Sequence, residues 1–144
     1  MILLDTHVLV WLALQPNKLS RNAKEAIRSA RLHSRLAIAA ITLWEIAWLA
    51  ENGRIESTMR IESFIRESVS KVSVLPITPE IAVRAASFPE SYPKDPQDRL
   101  IGATTLVERA GLVTHDRGIR QVGPGSGHLV TRNLNAKPHS AAIS

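Results

Sequence analysis

MILLDTHVLVW, residues 1–11, opens the chain, and the reading of this stretch decides the rest. Ile2, Leu3, Leu4, Val8, Leu9 and Val10 form an apolar run of the kind buried on both faces of a parallel sheet, and the run reads as a first strand. Asp5, Thr6 and His7 interrupt it. A carboxylate embedded in such a run costs several kcal/mol unless it is paired or metal-bound. No lysine or arginine of the run supplies a partner, so Asp5 asks for a functional explanation.

Working outward, Gln15-Pro16-Asn17 breaks the pattern, and Ser20 caps a helix with Ala23, Ala26, Ile27 and Ala30 on one side. RLAIAAI at 35–41 reads as a short buried strand. Thr42 is expected to cap the next helix, which stops at Gly53. A more polar helix is expected from about Thr58 to Lys71, then a strand VSVLP ended by Pro76. Thr78-Pro79-Glu80 supplies an N-cap with proline at the first helical position. FPESYPKDPQ at 88–97 is the one long irregular segment before a helix closed by Gly111. LVTH at 112–115 is a further strand, and a short helix from Asp116 and a terminal strand at 128–131 complete the pattern. Alternating strands and helices predict an α/β fold with a parallel sheet and helices on both faces. One domain spans 1–132, and the polar tail at 133–144 is expected to fray.

The 144 residues suffice for an aliphatic core without disulfide or metal staples: 44% are hydrophobic and only 4% aromatic. Cysteine is absent, which excludes disulfides, thiolate zinc sites and thiol nucleophiles. The N-terminal apolar run is short and carries Asp5, so neither a signal peptide nor a membrane span is expected, and the location expected is cytoplasmic. Eighteen Lys+Arg against thirteen Asp+Glu give a net charge of +5, a surface that favours polyanions such as nucleic acid.

Aspartate occurs only at Asp5, Asp95, Asp98 and Asp116, which makes the positions informative. Asp5 and Asp116 fall at or just beyond the carboxyl ends of expected strands, Asp95 and Asp98 start a helix, and Glu45 sits in the first turn after the second strand. Ligands of open α/β sheets bind at that edge. Local capping competes as an explanation: Thr42-Leu-Trp-Glu45 fits a capping box, Asp95-Pro-Gln-Asp98 fits an N-cap with an acid at N3, and Asp116 fits a plain cap. Carboxylates gathered in one place repel, and a divalent cation removes the conflict. All-oxygen ligation selects magnesium or manganese over zinc, and such an ion suits phosphodiester hydrolysis.

These segments resemble a PIN domain, more narrowly the VapC-type toxins of toxin-antitoxin pairs. The resemblance rests on LLDTHVLVW, ITLWEIAWLAENGRI, LPITPEIAVRAASFP, DPQDRLIGAT and LVTHDRGI in that order, and covers the chain to about Arg132. It implies a three-layer α/β/α sandwich with about five parallel strands, a homodimer, and a Mg2+- or Mn2+-dependent endoribonuclease cutting tRNA, rRNA or mRNA and blocked by a VapB-like antitoxin. It implies Asp5, Glu45, Asp98 and Asp116 as catalytic metal ligands, with Thr6 and Thr114 orienting them. Asp95 is the rival for the third acid and reads better as a helix cap. Arg99 and Arg117, each directly after a ligand, are phosphate-contact candidates, with ordinary ion pairing as the alternative. His7 and His115 flank ligands but are not needed as bases, and Trp11, Trp44 and Trp48 read as core or dimer packing or as an antitoxin groove. A PIN nuclease of RNA processing, a phosphoaspartate-forming or receiver-like domain and a non-catalytic RNA- or protein-binding module remain the alternatives.

Overall fold

The structure, a computed structural model, describes residues 1–115. Four parallel strands, β1 (Ile2–Leu4), β2 (Leu36–Ala39), β3 (Ser73–Leu75) and β4 (Gly111–Val113), form a sheet in the order β3-β2-β1-β4. Six helices connect them: α1 (Thr6–Leu14), α2 (Arg21–Leu32), α3 (Ile41–Glu51), α4 (Ile61–Ser68), α5 (Pro79–Ala86) and α6 (Pro96–Val107). Alternation along each strand divides the core. Leu4, Leu36, Ile38 and Val113 pack with Val8, Ile27, Ile46 and Phe64 from α1 to α4. Leu3, Ala37, Ala39 and Leu112 face the other way, against Ile81 and Ala85 of α5 and Ile101 and Ala103 of α6. The result is the expected three-layer α/β/α sandwich. The fifth strand, the helix from Asp116 and the tail fall outside the described residues.

The strand order fixes where a ligand can bind. The chain steps from β1 to β2 to β3 in one direction and then returns to place β4 on the other side of β1. The crevice outside the carboxyl ends of β1 and β4 is therefore the switch point of the sheet. Leu4 pairs with Val113 at this edge, so Asp5 and Thr114 leave the sheet side by side.

Several boundaries differ from the sequence reading. The first strand ends at Leu4, and Val8, Leu9 and Val10 belong to α1. A short continuous apolar run has no period that separates a buried strand from a buried helix, and here Val8 and Leu9 are buried in helical form. Helix α3 starts at Ile41 with Ala40 as N-cap, so Thr42 is inside the helix and is not its cap. Helix α4 is shorter than expected. Helix α6 ends at Val107, and Gly111 is the first residue of β4, paired with Ile2, where an added Cβ would come within 3.0 Å of the Ile2 side chain. The caps at Ser20 and Thr78 match expectation: each hydroxyl accepts the backbone N–H three residues on.

The irregular segment between α5 and α6 is fixed by α6 itself. Tyr92 is buried, stacks on Phe88 at a 4.1 Å ring separation, and lies directly over Gly102. The Arg99 guanidinium donates to the carbonyls of Pro93, Ala85, Phe88 and Pro89. These contacts set the position of the first turn of α6, and with it Asp98. A Cβ at position 102 would overlap the Tyr92 phenol, whose ring is stacked and buried. Gly102→Ala is expected to destabilise the fold by about 1–3 kcal/mol in urea denaturation; an unchanged midpoint would mean that Tyr92 does not pack there.

Candidate active site

Asp5 is at the N-cap position of α1 and its backbone serves both neighbouring elements: its N–H donates to Val113 and its carbonyl accepts from Leu9. Its carboxylate makes no capping bond, and the side chain is only 5% exposed. The buried Thr114 hydroxyl donates to Asp5 Oδ2 at 2.6 Å, and His115 Nδ1 lies 3.8 Å from the same oxygen. Capping therefore does not account for Asp5.

Glu45 projects from the early part of α3 into the same place. The capping-box reading is not realised, because α3 has no side-chain cap. Glu45 Oε2 is buried and has no hydrogen-bond partner. Burial pushes the Glu45 carboxyl above its ordinary range; a hydrogen bond with Thr6 opposes the shift, and the charges of Asp5 and Asp95 add to it. Thr6 is also 3.0 Å from the Thr42 hydroxyl, oxygen to oxygen, with both residues buried. The starts of α1 and α3 are thereby tied beneath the carboxylates.

Asp98, in the first turn of α6, is half-buried and completes the visible acids. Asp5, Glu45, Asp95 and Asp98 line one cleft of about 490 Å³, together with His7, Trp44, Trp48, Leu49, Gln97 and His115. Asp95 acts as the helix cap expected of it: its Oδ1 accepts the Gln97 N–H at 2.8 Å. Asp116 and Arg117 lie outside the described residues. No group of three or more His, Asp or Glu side chains among the described residues is already gathered in a metal-ligating arrangement.

Two sequence readings change here. Arg99, the phosphate-contact candidate, is placed elsewhere: its guanidinium donates to the carbonyls of Ala85, Phe88, Pro89 and Pro93 and it does not line the cleft. Trp44 and Trp48 are not core residues: they are 52% and 45% exposed and form part of the cleft wall. Sequence reasoning also missed Thr42, read as a cap, as the partner of Thr6. The available signal was its spacing of three residues from Glu45, which places both on adjacent turns of one helix.

The raised carboxyl fixes the sign of a pH effect. Below the ordinary value of 4.5, Glu45 is neutral in both folded and unfolded chains. As pH rises through the raised folded value, the ionised group must be buried, and the stability it contributed is lost. In metal-free buffer Glu45→Gln is expected to melt higher than the parent chain at neutral and alkaline pH, with the gain vanishing below 4.5. A variant that melts lower at alkaline pH contradicts this.

The PIN domain profile matches residues 2–124. Ribonuclease VapC22 of Mycobacterium tuberculosis is 42% identical over 119 residues, which cover 83% of this chain and 89% of that relative. Among solved structures, a toxin-antitoxin complex from Klebsiella pneumoniae superimposes over 87% of this chain and 94% of its own, with a TM-score of 0.59 at 24% identity. VapBC2 from Rickettsia felis, bound to a DNA fragment from their promoter, does so over 81% and 89%, with a TM-score of 0.63 at 17% identity. Both structures share the fold. Matched along most of its length, and carrying its acids at the switch point of a parallel sheet, this chain belongs to the PIN-domain family.

Proposed function

We propose that the chain is a divalent-cation-dependent endoribonuclease, the toxin of a type II toxin-antitoxin pair, neutralised by a VapB-like antitoxin. The observation that carries this reading is Glu45 Oε2, buried without a partner in the cleft it shares with Asp5 and Asp98. A buried carboxylate oxygen that accepts nothing is costly, and a cation beside it removes the cost. The donors present are carboxylate oxygens, which suit a hard ion, Mg2+ or Mn2+. Asp5, Glu45 and Asp98 would hold it, joined by Asp116 from the segment that follows β4.

Such an ion supplies, when bound, a polarised phosphoryl oxygen and an activated water for in-line attack on a phosphodiester. The remaining work belongs to the side chains. Thr114 holds the Asp5 carboxylate in one orientation through its 2.6 Å bond. Thr6, braced by Thr42, does the same for Glu45. The net charge of +5 favours a polyanionic substrate, RNA in this reading. Likeness to Ribonuclease VapC22 and to toxin-antitoxin structures supports the activity and the antitoxin partner. A homodimer is the proposed assembly, acting in the cytoplasm; no described helix is long and apolar enough to cross a membrane.

Incubation of the full chain with a tRNA, rRNA and mRNA panel, with Mn2+ or Mg2+ and with EDTA, tests the reading. Cleavage is expected with either metal and not with the chelator; equal cleavage in EDTA contradicts it. Asp5→Asn is expected to fold as well as the parent or better, since repulsion is relieved, and to lose more activity than the about 10–100-fold expected for Thr114→Val, which removes only a supporting hydrogen bond. A fully active Asp5→Asn protein overturns the metal assignment.

A further inference from the structure

The rim of the cleft carries a row of rings that the hydrolytic reading leaves unused. His7 and Trp11 are one turn apart on α1, and His115, two residues beyond β4, lies against both. Its ring centroid is 4.8 Å from that of His7, at 59°, and 4.9 Å from that of Trp11, at 56°. On Trp11 in turn sits Lys18, its Nζ 5.5 Å from the ring centroid. The row thus runs from the Asp5 carboxylate, 3.8 Å from His115, out to a cation.

Core packing accounts for only part of this placement: Trp11 packs against the core from its edge, whereas His7 and His115 line the cleft. The chain has six aromatic residues, and the division among them is sharp: Phe64, Phe88 and Tyr92 are buried, whereas no tryptophan is. Trp44 and Trp48 form part of the cleft wall from α3, while His7 and His115 line it beside the start of α1. His7 is exposed, and the His115 side chain is 38% exposed. A cover for the sheet end alone would be served by aliphatic side chains, which make up most of the core. The rings are tilted to one another and share no plane, so the face on offer to a nucleobase is that of the exposed His7 imidazole, braced by His115 and Trp11, and the lysine beyond offers a charge for phosphate.

We propose that His7, His115 and Trp11 form a nucleotide subsite: the base flanking the scissile phosphate stacks on the exposed His7 imidazole, His115 braces that ring, Trp11 positions His115 from behind, and Lys18 faces the next phosphate. A base paired in a duplex has its faces covered by its neighbours, so the segment taken is single-stranded or looped out. The subsite rests on the RNA-cleaving reading for its substrate, but its binding is separable from cleavage.

Fluorescence anisotropy in EDTA, with a labelled single-stranded RNA, the same RNA with bases removed one at a time, and the corresponding duplex, measures binding without hydrolysis. His7→Ala and Trp11→Leu are each expected to raise Kd for the intact single strand by about tenfold, and His7→Phe, which keeps a ring and has nothing to titrate, to restore it. At one position of the base-removal series, and for the duplex, the variants and the parent chain are expected to bind alike. Unchanged affinity for the single strand, or an equal loss on every RNA, overturns the subsite. A chain that binds through these rings yet cuts nothing refutes the nuclease reading and leaves the subsite standing; one that cuts RNA with the same KM in every variant does the reverse.

Discussion

Burial of carboxylates, Asp5 and Glu45, at one end of the sheet is the constraint around which the structure is arranged. Asp5 is almost fully buried, Glu45 keeps one oxygen without a partner, and burial raises the Glu45 carboxyl, with the charges of Asp5 and Asp95 adding to the shift. Left alone, such a cluster would spread apart or take up protons. The fold resists spreading. The backbone of Asp5 is bound to both β4 and α1, the Thr6 and Thr42 hydroxyls join the helices beneath Asp5 and Glu45, and Thr114 grips the Asp5 oxygen. Threonine suits all three places because a small hydroxyl can be buried when its bond is made, without adding charge.

The third acid is positioned by a different device. Asp98 belongs to a helix whose first turn follows an irregular, proline-rich segment, a weak mounting for a functional group. Arg99 converts that segment into a rigid support by donating to three of its carbonyls and to one at the end of α5, and the close approach of Tyr92 to Gly102 fixes the depth at which α6 packs. Residues next to the acids thus serve the scaffold as often as the chemistry.

What could be read from the sequence follows from how local each signal is. The caps at Ser20, Thr78 and Asp95 involve partners two or three residues away and were legible. That Asp5 and Asp98 would meet in one cleft was legible for a different reason: aspartate is scarce, and a carboxylate in an apolar run has few explanations. Helix α1 was not legible, because its apolar residues follow β1 without a change of period, and only the tertiary packing of Val8 and Leu9 decides their conformation. Arg99 looked like a phosphate ligand because the carbonyls that occupy it come from a loop whose path no local pattern encodes. The meeting of His7, Trp11 and His115 joins residues about a hundred positions apart, and nothing in either segment announces it.

The central claim is that one doubly charged ion binds between the acids that line this cleft. Anomalous scattering from crystals of the full chain soaked in Mn2+ tests it most directly. The account predicts a peak in the cleft within ligating distance of Asp5 and of Glu45 Oε2, with Asp98 among the neighbours. A cleft that stays without a peak while Glu45 Oε2 remains unpartnered, or a peak held by other residues, would contradict it.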